Sequence, residues 1–201
     1  MFDRGRALQV AATEEVRCKG VMFRSTLSAL ERLRGQDAVD RSLAMLSPEV
    51  GQALRTGGVA ATGWYPVAWL RELHGATQRA CGAGPQLARA IGHEAAGADL
   101  RGVYRFLASL VSPETLISMT PRLWNTYWDG GQTKFLELRM GMSRGCTSGC
   151  RGFDRSIWES IIGGSIAILE MGGAKHVRMR VVAGGGDGDD AMDCEARWSV
   201  E

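Results

Sequence analysis

The sequence predicts an α+β domain, in which a layer of helices precedes a strand–helix–strand–strand unit with a small antiparallel sheet. Helical periodicity and cap signals extend as far as Trp128, whereas alternating strand patterns begin only after it. An amphipathic helix then separates the first of these strands from the last two. We expect a single domain at residues 16–201 of the 201-residue chain, with residues 1–15 as a loose lead-in.

The N-terminal helices are marked by caps and breakers. Cys18–Phe23 reads as a short strand or extended entry, and Ser25–Arg34 reads as a helix because its leucines recur at helical spacing before Gly35. Polar caps and prolines predict where the later helices begin. These start signals are Asp37, Ser47-Pro48, Pro66, Pro85, Asp99, Ser112-Pro113 and Thr120-Pro121.

Three segments in the last third alternate apolar and polar residues, as strands do. They are Lys134–Met142, Lys175–Val182 and Ala191–Val200. The second carries arginines on its polar face and the third carries acids, which favours antiparallel pairing of these two. Two glycine-rich segments, Ser143–Gly152 and Gly184–Asp190, are expected to be loops.

Asp154–Met171 is the best-marked helix of the chain. Asp154 is a suitable N-cap, and Gly172-Gly173 is a suitable stop. Its isoleucines recur every three or four residues, so they share one face that we expect to close against the sheet. Gly163-Gly164 is expected where the backbone passes close to a neighbour or a ligand.

Composition excludes several classes of protein. A net charge of +2 does not call for a nucleic-acid partner, and no apolar run reaches bilayer length. The first residues carry charge but neither an apolar core nor a cleavage site, so we expect no secretory signal and a cytoplasmic location. The odd count of five cysteines indicates free thiols rather than disulfides.

Catalytic motifs are missing from the sequence. It contains no His-Glu-x-x-His, no phosphate loop and no paired-carboxylate motif. Gly184–Asp190 has aspartates like those of a calcium loop, but it lacks the spacing and the terminal glutamate of that loop. We therefore predict a protein that is not an enzyme.

Short aromatic motifs carry a resemblance. Trp64-Tyr65-Pro66, Leu123–Gly130 and Asp193–Trp198, taken with the order of elements, resemble a paralogous family of uncharacterised myxobacterial proteins. More distantly, the layout is similar to the superfamily of heme nitric-oxide-binding domains, 4-vinyl-reductase-type domains and the TRAPP vesicle-tethering subunits. This resemblance implies a helical layer and a curved sheet around an apolar cavity.

The heme-binding branch implies a proximal histidine in the helix before the first long strand and a Tyr-x-Ser-x-Arg clamp for the propionates. Here that helix carries Trp124 and no histidine, and no Tyr-x-Ser-x-Arg is present. Iron needs an axial ligand. We therefore predict that the chain binds no heme and carries no other cofactor.

Six tryptophans in 201 residues suggest an apolar pocket, although large aromatic residues also simply fill cores. Tyr104, Arg105 and Tyr127 are the polar candidates for its lining. The predicted wall residues are Trp124, Tyr127, Trp128, Met140, Met142, Trp158, Ile161, Ile162, Ile168, Met179 and Trp198.

Cys146 and Cys150 form a possible thiol site. Together with Cys194 and His176 they would supply four ligands to zinc, but the spacing is not that of a zinc knuckle, so we predict no metal. A lowered thiol pKa would make them redox-active, and an ordinary pKa would leave two loop thiols.

These observations favour a non-enzymatic domain that binds an apolar small molecule or lipid, or senses one, and acts through protein–protein contacts such as a homodimer. Two alternatives stay open. One is a structural adaptor of the TRAPP type with a filled core and an exposed apolar patch. The other is a thiol-based redox protein.

Overall fold

The computed structural model describes residues 15–103 and 111–200, and only the backbone of residues 100–103. The predicted lead-in lies, except for Glu15, outside this part of the chain, as do Tyr104 and Arg105. The described part contains eight helices and two antiparallel sheets, with most of the helices before the larger sheet. The predicted α+β class is confirmed.

The helices begin close to their predicted start signals. Ser112 accepts a hydrogen bond from the backbone N–H of Thr115 at 3.3 Å, as a cap does. Asp99 caps no separate helix, because the fifth helix runs through it without a break. The bounds are α1 Val21–Arg34, α2 Gln36–Ala44, α3 Pro48–Arg55, α4 Val67–Cys81, α5 Gln86–Val103, α6 Pro113–Ser118, α7 Thr120–Tyr127 and α8 Arg155–Met171.

The first helix starts earlier than predicted. Its first residue is Val21 rather than Ser25, and the backbone N–H of Val21 donates to the carbonyl of Ala61 at 2.9 Å. The strand before it is correspondingly short, at Arg17–Lys19. Phe23 is fully buried, so its place in the core explains the apolar run that we assigned to an extended entry.

The strands form one pair and one four-stranded sheet. The short strands β1 Arg17–Lys19 and β2 Trp64–Pro66 pair with each other. The larger sheet has the order β3-β4-β6-β5, all antiparallel, and Arg180 lies opposite Glu195 as the charge pattern predicted. Its strands are β3 Gln132–Arg139, β4 Met142–Ser148, β5 Lys175–Gly184 and β6 Met192–Ser199.

The glycine-rich loop predicted at Ser143–Gly152 is wrong for its first six residues. They belong to β4, the central partner of β3 and β6, so the unit is strand–strand–helix–strand–strand. Small and polar residues, with Gly145 in the middle, hide the alternation that marks a strand. The turn itself is made by Gly149 and Gly152, both at positive φ.

A β-bulge interrupts the predicted alternation of β3. The pairing register shifts between Phe135 and Glu137, which leaves Leu136 outside the regular alternation and 52% exposed. Phe135 and Leu138 pack inward against the α8 side of the sheet. A sequence pattern that assumes a strict period of two misplaces every residue on one side of such a bulge.

Two carboxylates hold the start of α8. Asp154 accepts from the backbone N–H of Ile157 at 2.9 Å, which confirms the predicted cap. Asp187, from the loop between β5 and β6, accepts from the backbone N–H of Arg155 at 2.9 Å. Both acids lie at the positive end of the helix dipole. The aspartates that look like calcium ligands in the sequence thus include one that anchors this helix.

Helices α5 and α8 cross at two glycines. A Cβ atom on Gly92 would overlap the carbonyl group of Ser160 and lie 2.8 Å from its Cα. A Cβ atom on Gly163 would overlap the carbonyl oxygen of Arg89 and lie 2.8 Å from the backbone nitrogen of His93. Backbone packs directly on backbone here, so only glycine fits. The expected close approach at Gly163-Gly164 is confirmed for the first of the two.

His74 is a buried polar residue of α4. Its side chain is 1% exposed, and Nδ1 has no hydrogen-bond partner among the described residues. Burial lowers the pKa of His74 from 6.5 to about 4, because the imidazolium ion is poorly solvated in the core.

The crossing predicts different effects for alanine substitutions at the neighbouring glycines Gly163 and Gly164. Gly163→Ala and Gly92→Ala should each lower the free energy of unfolding by about 3 kcal/mol, the upper end of the range for overpacking. Gly164→Ala is the matched control, because its Cβ would meet Ala96 at 3.6 Å and Gly92 at 3.8 Å, which are ordinary contacts. It should be neutral or stabilise by up to about 1 kcal/mol. Urea unfolding of the three variants checks this, and equal losses at Gly163 and Gly164 would contradict it.

His74 predicts a pH dependence of stability. Below pH 6.5 the unfolded chain takes up a proton that the folded protein accepts only near pH 4. Stability therefore decreases as the pH is lowered from about 6.5 to about 4. The loss attributable to this residue approaches about 3 kcal/mol. We expect wild type and His93→Gln to share the dependence in urea unfolding between pH 7 and 4.5. His74→Gln should lack this part of it; an identical slope in all three proteins would refute the assignment.

Candidate functional site

A cavity of about 220 Å³ lies among four helices and is partly open to solvent. Its wall is mostly apolar. From α1 it receives Val21, Met22, Ser25 and Thr26; from α5, Ile91, Gly92, Ala95, Ala96 and Asp99; from α7 and the residue after it, Thr120, Leu123, Trp124, Tyr127 and Trp128; and from α8, Ser160, Ile161, Gly164, Ser165 and Ile168.

Small side chains on α5 create this space. Gly92, Ala95, Ala96 and Asp99 stand at helical spacing on one face. The glycine crossing brings α5 and α8 together, and beside it Ala95 and Ala96 present only methyl groups to the cavity. The cavity is therefore a consequence of the same residues that allow the close crossing.

An aromatic cluster forms the cavity's inner wall. The rings of Trp124 and Trp128 stack with centroids 5.6 Å apart, and Trp128 lies 4.6 Å from Phe153. Behind them Phe153 lies 4.9 Å from the fully buried Trp158. The indole N–H of Trp124 donates to the carbonyl of Gly130 at 2.9 Å, which fixes its ring. This side of the cavity is therefore rigid.

A second, smaller cavity of about 70 Å³ lies between α8 and the sheet. Ile162, Met179 and Cys194 are among its lining residues. Four residues line both cavities, and they form the partition between them: Thr120, Trp124, Ile161 and Ser165. A side-chain movement in the larger cavity at these residues therefore also alters the wall of the smaller cavity, next to the sheet.

The structure brings together part of the predicted wall. Trp124, Tyr127, Trp128, Ile161 and Ile168 line the larger cavity, and Trp124, Ile161, Ile162 and Met179 line the smaller one. Three others lie away from both: Trp158 in the core behind the aromatic cluster, and Met142 and Trp198 buried in the sheet. Met140 is 84% exposed at the turn between β3 and β4, so it walls neither cavity. A ligand contact at any of these residues stays a prediction.

Sequence reasoning missed the α1 and α5 half of the wall. The sequence predicts an extended segment where α1 begins, so it does not place Val21 and Met22 on a helix face. On α5, interior glycines weaken the helical signal of the sequence. The run of small residues at helical spacing ending in Asp99 was the available signal.

The two cysteines of the possible thiol site lie in different surroundings. Cys146 is on β4 beside Asp193; a hydrogen bond to that carboxylate, and partial burial, raise the pKa of its thiol. Cys150 is fully buried, and burial together with Asp190 raises its pKa to about 12. Cys194 lines the small cavity, on the face of β6 opposite to Asp193, and burial raises its pKa to about 11. All three shifts oppose thiolate formation.

Within the described ranges, no three His, Cys, Asp or Glu side chains come close enough to hold a metal ion. No helix described in residues 15–103 and 111–200 is both long and apolar enough to cross a bilayer.

Solved structures with the same fold are heme nitric-oxide-binding (H-NOX) domains. An oxygen-binding H-NOX domain related to soluble guanylate cyclases, in its oxygen complex, has a TM-score of 0.65 at 12% identity over 90% of this chain and 95% of its own. The unliganded Fe(II) H-NOX protein from K. algicida has a TM-score of 0.66 at 12% identity, covering 91% and 97%. A third structure, from work on heme redox potential and porphyrin distortion, has a TM-score of 0.63 at 12% identity, covering 89% of this chain and 99% of its own.

No family model and no curated protein matches the sequence. The fold is therefore that of H-NOX domains, while the resemblance to a myxobacterial family stays a prediction. The prediction of a chain without a cofactor is wrong for this fold, because the solved domains that share it are heme proteins. Heme is the cofactor that the fold implies.

The described wall does not fit a histidine-ligated heme. The chain has three histidines, and none lines the cavity: His74 is buried in α4, His93 lies 2.7 Å from Glu170, and His176 is exposed on β5. Met22 and Tyr127 are the described wall residues of types that ligate heme iron. The volume of about 220 Å³ is also below the range of about 300–1,000 Å³ typical of ligand pockets.

The raised thiol pKa values predict slow alkylation. In the folded protein, Cys150 should react with iodoacetamide at pH 7.5 at least about tenfold more slowly than in a synthetic peptide of residues 143–152, because the thiolate is the reacting species. Cys146 should also react more slowly than in the peptide. Mass spectrometry of a time course measures both rates. Equal rates in protein and peptide would show that the fold does not suppress these thiols.

Proposed function

We propose that this chain is a small-molecule-binding sensory domain whose ligand occupies the cavity between α1, α5, α7 and α8. The observation that carries the proposal is the mostly apolar cavity of about 220 Å³ among these four helices. Support comes from the fold, since H-NOX structures include an oxygen complex. No group on the described wall points to catalysis, so the proposed role is binding rather than turnover.

The size of the cavity supports a small ligand. An apolar cavity of about 150 Å³ binds benzene. The present cavity, at about 220 Å³, accommodates a single aromatic ring with a short substituent. The stacked Trp124 and Trp128 offer such a ring an aromatic surface.

The partition between the two cavities supports sensing. Ile161 and Trp124 touch both spaces, so a ligand on the helix side contacts residues that also pack toward β3 and β6. A ligand that binds one arrangement of this partition better than another shifts the population toward it. We propose that the altered sheet or helix surface then changes contacts with another protein, or with a second copy of this chain.

The cavity favours this proposal over the structural adaptor, which calls for a filled core. The raised pKa values of Cys146 and Cys150 favour it over thiol redox chemistry.

Filling the cavity should abolish binding. Native mass spectrometry of purified protein, and calorimetric titration with indole and with hemin, should detect a ligand that binds at micromolar to millimolar concentration. Ala96→Phe places a ring in the cavity and should remove this binding. Ala90→Phe is the matched control, because Ala90 lies on the same helix but is exposed. If Ala96→Phe does not fold, Ser165→Leu provides a second test, because its larger side chain fills part of the same cavity.

Absence of any bound molecule would contradict the proposal, and so would binding that is equal in Ala96→Phe and Ala90→Phe. Uptake of hemin lost in Ala96→Phe but kept in Ala90→Phe would identify heme as the ligand of this cavity.

A further inference from the structure

Asp99 stands where α5 meets the rim of the cavity. It is an exposed residue that also lines the cavity, so its carboxylate lies between solvent and the apolar interior. The hydroxyl of Ser25, on α1, donates to its two oxygens at 3.0 and 3.3 Å. This hydrogen bond holds the carboxylate across the gap between the two helices.

Asp99 is the one charged side chain among the described lining residues. Two cationic side chains of α1 and α5 have other partners: Arg32 lies 2.7 Å from Glu94, and Arg89 lies 2.6 Å from Glu159. In the part of the chain that the structure describes, no Lys or Arg forms an ion pair with Asp99. Its negative charge is therefore available to a ligand.

We infer that the cavity takes a small aromatic molecule carrying a protonated amine, whose ring enters the apolar interior and whose ammonium group pairs with Asp99. An ammonium group donates up to three hydrogen bonds, and a carboxylate accepts more than the single bond that Ser25 provides. The apolar interior gains from burying the ring, while the rim keeps the charge in contact with water.

The same carboxylate selects against acids. A ligand carboxylate at the rim would face a like charge without a described cation to offset it, which costs binding. A neutral alcohol would keep the ring contacts and one hydrogen bond, but it would lose the charge pairing. The expected order of affinity is therefore amine, then alcohol, then acid.

This inference rests on the proposed function, and three probes with one ring system test it separately. They are 2-phenylethylamine, 2-phenylethanol and 3-phenylpropanoate, titrated at pH 7 by calorimetry. We expect the amine to bind about tenfold more tightly than the alcohol, and the acid most weakly. Raising the salt concentration from 0.05 to 0.5 M should weaken binding of the amine and leave binding of the alcohol unchanged, because salt screens only the charged pair.

Variants at the rim separate charge from shape. Asp99→Asn should reduce the affinity for the amine to that for the alcohol. The affinity for the alcohol itself should stay the same. Asp99→Glu keeps a carboxylate at the rim and should keep much of the preference for the amine. Asp99 is exposed, so these variants are expected to fold, and a melting curve for each one establishes that.

Equal binding of the three probes to wild type would overturn the inference while leaving the cavity as a ligand site. An amine preference that survives Asp99→Asn would also overturn it. If none of the three probes binds while indole or hemin does in the titrations above, the inference fails and the proposed function stands.

Discussion

The contact between the backbones of α5 and α8 is the constraint on which the rest of the structure depends. At Gly92 and Gly163 each helix rests against a carbonyl group of the other, and a single methyl group has no room. Because α8 also packs against the sheet through residues such as Leu169, this crossing attaches the helical layer to the strands. The ion pair Arg89–Glu159 and the contact between His93 and Glu170 lie on either side of it and are partly exposed, so they contribute far less than the packing itself.

The cavity follows from how this crossing is built. Glycine permits the approach, but the small residues that accompany it on α5 leave space toward α1 and α7. The stacked Trp124 and Trp128 close one side, and Asp99 marks the open rim. The cavity therefore has a rigid aromatic wall on one side and short aliphatic side chains on the other. The fold is that of heme domains, and the three histidines of this chain lie outside the described wall of the cavity.

The parts of the fold that sequence reasoning found are those with local signals. Asp154 caps α8, and the opposed charges of β5 and β6 pair as expected, because caps and alternation are properties of neighbouring residues. β4 was missed since its small, polar residues are held by strands on both sides rather than by their own propensity. The wall of the cavity was predicted on its α7 and α8 side, where large aromatic and branched residues stand out. Its α5 side was not, because an empty space next to Ala96 is a product of tertiary packing and leaves little trace in the chain.

The most direct measurement is a crystal structure of the protein grown with 2-phenylethylamine. The account predicts electron density for the ring inside the cavity, between Ala96 and Trp124, with the amine nitrogen within hydrogen-bond distance of the Asp99 carboxylate. Side chains that fill the space between α5 and α7, or a ring bound elsewhere on the molecule, would contradict it.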